Sequence, residues 1–376
     1  MSSIYIHIPF CKQTCHYCDF HFSTSLKKKD EMIQALAKEI AMRKNECDDE
    51  VETIYFGGGT PSVLPIADLN FLIDEVYKHY KVVQNPEFTL ESNPDDLDNA
   101  TIRQLANSAI NRLSIGIQSF FEDDLKMMNR AHNANQAKEC LEEATKHFDN
   151  ITIDLIYGIP GMTNEKWMQN IETALGYNIP HISAYALTVE PKTALKKLIE
   201  KGVIDNPKDE TAENHFFILT EKLKEKGFIH YELSNFGKEG YFSKNNTSYW
   251  SGKKYIGIGP SAHSYNGTHR SWNIANNAIY IKEILSGNFP NEIEKLTTSD
   301  RYNEYVMTGL RTIWGISLEK IREDFGDKYY EYLMKSSEKL IKNQLIELKD
   351  QKITVTQKGK FLSDGIASEL FVVNSQ

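Results

Sequence analysis

Six short β-rich runs, each followed by a helical pattern, constrain this chain more than any other feature. The runs cover 3–8, 53–56, 87–91, 112–117, 151–156 and 181–187. After the first, Met32, Ile33, Leu36, Ala37, Ile40 and Ala41 recur at helical spacing; after the second, Ile66, Leu69, Leu72, Ile73, Val76, Tyr77 and Tyr80 do the same. Strands joined through helices pair in parallel by right-handed crossovers. Six such units predict an α/β fold closed, or partly closed, into a barrel. In that architecture chemistry gathers at the C-terminal strand ends, so the residues just past each run become the candidates.

At 376 residues the chain exceeds the roughly 250–300 at which one core stops growing. The alternation fades from Pro191, which predicts three segments. Residues 1–200 would form the barrel. Residues 201–299, with a long helical pattern at 209–226, would form an α+β extension. Residues 300–376 read helix, helix, hairpin (345–348 and 353–356), helix, a small winged-helix-like domain. That last pattern would suit DNA, yet its 12 basic and 12 acidic side chains cancel. The whole chain carries a net charge of −9, so the basic footprint of nucleic-acid binding is missing. No apolar run approaches the roughly 20 residues of a membrane span, and the opening residues lack the basic start of a signal peptide. A cytoplasmic location is expected.

Of five cysteines, Cys11, Cys15 and Cys18 cluster on the loop after the first strand; Cys47 and Cys140 stand alone as small hydrophobes. An odd count in a cytosolic chain argues against a disulfide framework. Clustered thiolates suit zinc or iron–sulfur. A Cys3His zinc site with His21 is one reading. The other is a [4Fe–4S] cluster with one iron left open to an outside ligand, because no second Cys-x2-Cys pair exists. Gly57, Gly58 and Gly59 end the second strand, where they permit either a tight turn or close approach to a ligand by free backbone groups. Glu91 and Asp154 are lone acids at the ends of the third and fifth strands. The Gly257-Ile-Gly259 segment imitates a dinucleotide fingerprint but lacks its βαβ setting.

These segments together resemble the radical S-adenosylmethionine (SAM) superfamily, and within it the coproporphyrinogen III oxidase-like group. The resemblance is carried by the Tyr5–Cys11 and His16–Phe20 segments, Gly57-Gly-Gly-Thr60-Pro61, Glu91-Ser-Asn-Pro94, Arg112–Phe120, Asp154–Gly161, His181–Thr188 and Tyr231–Phe236. It covers nearly the whole chain in order. It implies a partial (β/α)6 radical-SAM barrel in which Cys11, Cys15 and Cys18 hold the cluster. It also implies that Gly58, Gly59 and Thr60 approach the SAM amino group, and that Glu91, Gln118, Arg130 and Asp154 line the SAM site with Tyr5 and Tyr17 nearby. One electron, supplied by a reductant protein, would cleave SAM to methionine and a 5′-deoxyadenosyl radical.

Two branches of the group compete. The oxygen-independent coproporphyrinogen III dehydrogenases carry a further cysteine two residues after the cluster's last, where this chain has Phe20, and a longer segment before the cluster. The Cys18-Asp19-Phe20 and Tyr249-Trp250 segments are similar to the HemW-type heme chaperones. That branch implies heme binding and delivery to acceptor hemoproteins, respiratory ones among them. Its His-Asn-x-x-Tyr-Trp motif reads Asn245-Asn-Thr-Ser-Tyr249-Trp250 here, and a carboxamide does not replace imidazole as an iron ligand. His263 is then the first substitute ligand, followed by His230 and His269. Tyr249 and Trp250 would pack the macrocycle, and Arg270 or Arg311 would pair its propionates.

Overall fold

The computed structural model describes residues 2–47 and 49–373; the outer ends of the segments 1–200 and 300–376 therefore fall outside the described residues. Six parallel strands stand next to one another in chain order: β1 (Ser2–Ile8), β2 (Val51–Gly58), β3 (Val82–Ser92), β4 (Arg112–Gln118), β5 (Ile151–Tyr157) and β6 (His181–Ala186). The intervening helices include Lys29–Met42, Ile66–His79, Asn99–Ala106, Ala134–His147 and Asn164–Gly176. Ile4, Ile6 and Ile8 of β1 are fully buried, as are Ile54 and Phe56 of β2 and Ile115 of β4. In β1 and β2 these residues alternate along the strand, so they share one face of the sheet, and Tyr5, His7 and Tyr55 stand on the other.

The barrel is partial because the sheet does not close on itself. Twelve strands run in the order β12-β11-β10-β9-β1-β2-β3-β4-β5-β6-β8-β7. Beyond β6 lie the antiparallel β8 (Asn235–Gly237) and β7 (Ile229–Glu232). Beyond β1 lies β9 (Tyr255–Ile258), parallel to it, and then the antiparallel β10 (His263–Tyr265), β11 (His269–Asn273) and β12 (Asn291–Lys295). The middle segment therefore extends the barrel sheet at both edges. Its glycines answer to packing: a Cβ on Gly257 would lie 2.0 Å from the His263 carbonyl oxygen, and one on Gly259 2.6 Å from the His7 carbonyl oxygen. Strand β9 leads into a turn rather than a helix, so no dinucleotide fingerprint forms.

A second core gathers Tyr302, Val306, Leu310, Ile321, Leu333 and Leu340 under the three-stranded sheet β13 (Ile316–Ser317), β14 (Ile346–Lys349) and β15 (Lys352–Val355). Helices Thr298–Leu310, Leu318–Phe325 and Asp327–Lys342 precede the hairpin, the winged-helix arrangement. No helix among the described residues is long and apolar enough to cross a membrane.

Candidate functional site

Eleven of the twelve residues singled out as cluster or SAM contacts line one cavity of about 580 Å³ at the C-terminal strand ends. They are Cys11, Cys15, Cys18, Tyr17, Gly58, Gly59, Thr60, Glu91, Gln118, Arg130 and Asp154. Tyr5 lines an adjoining cavity of about 430 Å³, which shares Phe20, Gly58 and Glu91 with the first. The cysteine loop is irregular but held. Cys11 N donates to the Ser23 carbonyl (3.1 Å), His16 N to Met128 (3.0 Å) and Asn129 Nδ2 to Thr14 (2.7 Å). Arg130 reaches in from the other side, its Nη1 3.3 Å from Cys15 Sγ and its Nη2 donating to Asn93 Oδ1 (2.6 Å) and the Gly116 carbonyl (2.9 Å).

The donor set fits an iron–sulfur cluster better than zinc. All three thiols are free of disulfides and face one space. Among the described residues, no three His, Cys, Asp or Glu groups converge as one metal ion would require. In a cubane each thiolate binds its own iron, so such convergence is not needed. His21 turns away: its Nε2 lies 2.7 Å from Asn277 Oδ1 in the adjoining cavity. Burial raises the Cys11 thiol to about 11, and Arg130 Nε is buried with no partner among the described residues. Both features leave chemistry for a bound group to complete.

The glycine segment differs from expectation in one respect. Its amides are spent: Gly58 N donates to Glu91 Oε2 (3.1 Å), Gly59 N to the Ile8 carbonyl (2.9 Å) and Thr60 N to the Phe10 carbonyl (2.7 Å). No donor among the described residues reaches the Gly59 carbonyl, so what remains is an acceptor, the partner an ammonium needs. Gly58 has φ +107, and a Cβ there would stand 2.5 Å from His7 Nδ1, which requires glycine. Gln118 takes φ 65 although it is not glycine, at an irregularity where β4 leaves its register with β5. Such strain is held only where surroundings impose it.

Glu91 accepts from Tyr55 Oη (2.7 Å) and Gly58 N. Burial first, then the Asp154 charge, raises its carboxyl from 4.5 to about 7 against those two hydrogen bonds. Burial likewise raises Asp154 to about 7. Both acids hold protons in the folded chain that the unfolded chain releases near pH 4. Their contribution to stability is therefore present below that pH and lost as pH rises through about 7. The Glu91→Gln variant without cofactors is expected to gain melting temperature over the wild type between about pH 5 and pH 8. The shift corresponds to at most about 3 kcal/mol, because Glu91 borders a cavity that water screens. A pH-independent difference in melting temperature would refute it. Asn93 and Tyr55 were not singled out from the sequence. Asn93 sits inside the Glu91-Ser-Asn motif and joins Thr60 to Arg130; Tyr55 is two residues before the glycines, on their face of β2.

The heme candidates separate cleanly. Asn245 is buried, accepts from Thr53 Oγ1 (2.9 Å) and donates its N–H to Glu87 (3.1 Å); it lines neither cavity. His230 stacks on Phe236 at 4.0 Å with both ring nitrogens engaged, one to the Leu233 carbonyl and one to Lys360. His269 lies outside both cavities, its Nδ1 2.9 Å from Thr268 Oγ1. Only His263 of the three lines the adjoining cavity, with Tyr249 and Tyr255. Those two tyrosines also wall a further cavity of about 400 Å³ that holds Trp250 and Arg270. Arg270 pairs with Glu304 there, whereas Arg311 is taken by Glu232 and Asp364.

A parallel six-strand half-barrel with a three-cysteine loop after its first strand defines a radical SAM protein, and the Radical SAM superfamily profile matches residues 5–174. The HemN C-terminal domain profile matches residues 296–362. The chain is 35% identical to the heme chaperone HemW of Bacillus subtilis over 97% of this chain and 98% of that one. It is 34% identical to heme chaperone HemW of Lactococcus lactis over 97% and 96%. It belongs to the HemW heme-chaperone family. Coproporphyrinogen III oxidase (HemN) of Escherichia coli, described as a radical SAM enzyme, superposes with a TM-score of 0.85 at 23% identity, over 99% of this chain and 90% of that one, which is a likeness of fold.

Proposed function

We propose that this chain is a heme chaperone that carries a [4Fe–4S] cluster and SAM, binds heme, and delivers it to acceptor hemoproteins. The observation that supports this reading most is near-full-length similarity to heme chaperones of two organisms. In this reading Cys11, Cys15 and Cys18 each hold one iron, and SAM completes the fourth. The bound pair supplies one-electron chemistry, with a reductant protein as the electron source. The chain's own contribution is placement. The Gly59 carbonyl and the Glu91 and Asp154 carboxyls would accept from the SAM ammonium and hydroxyls, and Arg130 braces Cys15. Phe20, 69% exposed where the dehydrogenases carry cysteine, closes the loop without adding a ligand.

Anaerobic reconstitution tests the reading. The expected result is about four irons per chain, SAM binding, heme uptake by the same protein, and heme transfer to an apo-hemoprotein in a spectroscopic assay. Failure to take up heme sinks the proposal. Conversion of coproporphyrinogen III to protoporphyrinogen would instead establish the dehydrogenase.

A further inference from the structure

We propose that heme seats in the cavity beside the cluster cavity and that His263 is the axial ligand of its iron. This deepens the heme-binding reading above and rests on it. An iron porphyrin asks three things of a site: flat apolar walls, an imidazole whose nitrogen is unspent, and placement firm enough to keep that imidazole in line.

The walls come from strand register. Tyr255 of β9 pairs with Tyr265 of β10, and Tyr265 and His263 lie opposite Arg270 and Trp272 of β11. Alternate residues share a face; of these residues Tyr255 and His263 line the cavity, together with Tyr5, Phe20 and Tyr249, whereas Tyr265 and Arg270 face the neighbouring cavity of about 400 Å³. Strand β9 runs beside β1 with Gly257 opposite Tyr5, which makes that face a continuation of the one that bears the SAM-site residues. Tyr249 stands edge-on to Tyr255 at 4.6 Å and bounds the cavity on the other side.

Three histidines line the cavity, and their hydrogen bonds rank them. His7 Nε2 is held by the His21 carbonyl (2.9 Å), and its Nδ1 lies 3.4 Å from Tyr5 Oη. His21 Nε2 is held by Asn277, which leaves that ring its Nδ1 alone. His263 has no hydrogen-bond partner for either ring nitrogen among the described residues, and its ring leans on Trp272 at 6.0 Å.

The placement is firm although His263 itself is exposed. Fully buried Glu39 accepts from Gly259 N (2.8 Å) just before β10 and from Asn273 Nδ2 (2.8 Å) at the end of β11. Asn273 N donates to the Ala262 carbonyl, one residue before His263 (2.9 Å). The hairpin that carries the imidazole is thus fastened at both ends to helix Lys29–Met42. A porphyrin here would share the Phe20, Gly58 and Glu91 wall with the cluster cavity.

The test is titration of the reconstituted full chain with ferric heme, read by the Soret band, for wild type, His263→Ala and His269→Ala. His263→Ala is expected to bind at least the roughly 10–100-fold more weakly that loss of even an outer-shell partner costs a metal site. Its Soret band should shift, and added imidazole should restore the wild-type position. His269→Ala should match wild type, and His263→Ala should keep wild-type SAM binding. Wild-type affinity and spectrum in His263→Ala would overturn the assignment while leaving heme binding intact. Absence of heme uptake by the wild type would fail the functional reading itself. Should alanine not fold, His263→Gln carries the same test.

Discussion

Alanine at any one of Cys11, Cys15 or Cys18 is expected to bring iron in the reconstituted chain from about four per molecule to near none. SAM binding should fall with it, because SAM needs the iron that the protein leaves open. If each thiolate holds a separate iron, as proposed, no neighbour can stand in for the missing one. The fold should survive. The loop is clamped by hydrogen bonds to the Ser23 and Met128 carbonyls and from the Asn129 side chain that do not involve the thiols. Cys15→Ala goes further than the other two, since it also removes a partner of the buried Arg130 guanidinium. Cys47→Ser and Cys140→Ala are the controls: Cys140 is buried in the main core and Cys47 packs at its edge, both away from the cavity. Iron and sulfide analysis with thermal unfolding reads both effects. Full iron content in all three cluster variants would refute the ligand assignment.

The cluster loop was legible because spacing and a strand end are local features. The same is true of the six parallel strands: β4 and β5 begin at Arg112 and Ile151, as their apolar runs do. Strand β3 extends back to Val82, five residues before the run that marks it, because Gln84, Asn85 and Pro86 separate Val82 and Val83 from that run. Strands β7 to β12 were not legible. They are three to five residues long, too short for a period of two to build up. The same limit hid the His263 surface, which exists only once β10 and β11 pair. Asn245 could be seen to depart from a motif, but its burial between Thr53 and Glu87 depends on the barrel being assembled.

Glu39 was hidden differently, and it yields the other large effect. On helix Lys29–Met42 it interrupts the apolar face that Leu36 and Ile40 define, and a periodicity reading assigns it to solvent. It is instead fully buried and accepts from Arg43 Nη1 (3.1 Å), Gly259 N, Asn273 Nδ2 and Tyr280 Oη. Arg43, 3% exposed, also donates to the Gly257 carbonyl (2.6 Å). Removing Glu39 leaves the buried Arg43 paired only with the half-exposed Glu46 (2.6 Å) and strips three further buried donors of their acceptor, at about 3–5 kcal/mol. Glu39→Ala should therefore lose a large share of a stability that is typically about 5–15 kcal/mol. The measurement is chemical denaturation of single and double variants. Glu39→Ala/Arg43→Met is expected to be less destabilised than the two single changes added together, because the second change removes a buried cation left with Glu46 as its one carboxylate partner. Strict additivity would mean that the pair does not interact. Because Glu39 fastens Gly259 and Asn273 around the hairpin bearing His263, Glu39→Ala should also disturb heme uptake, although it touches neither cavity.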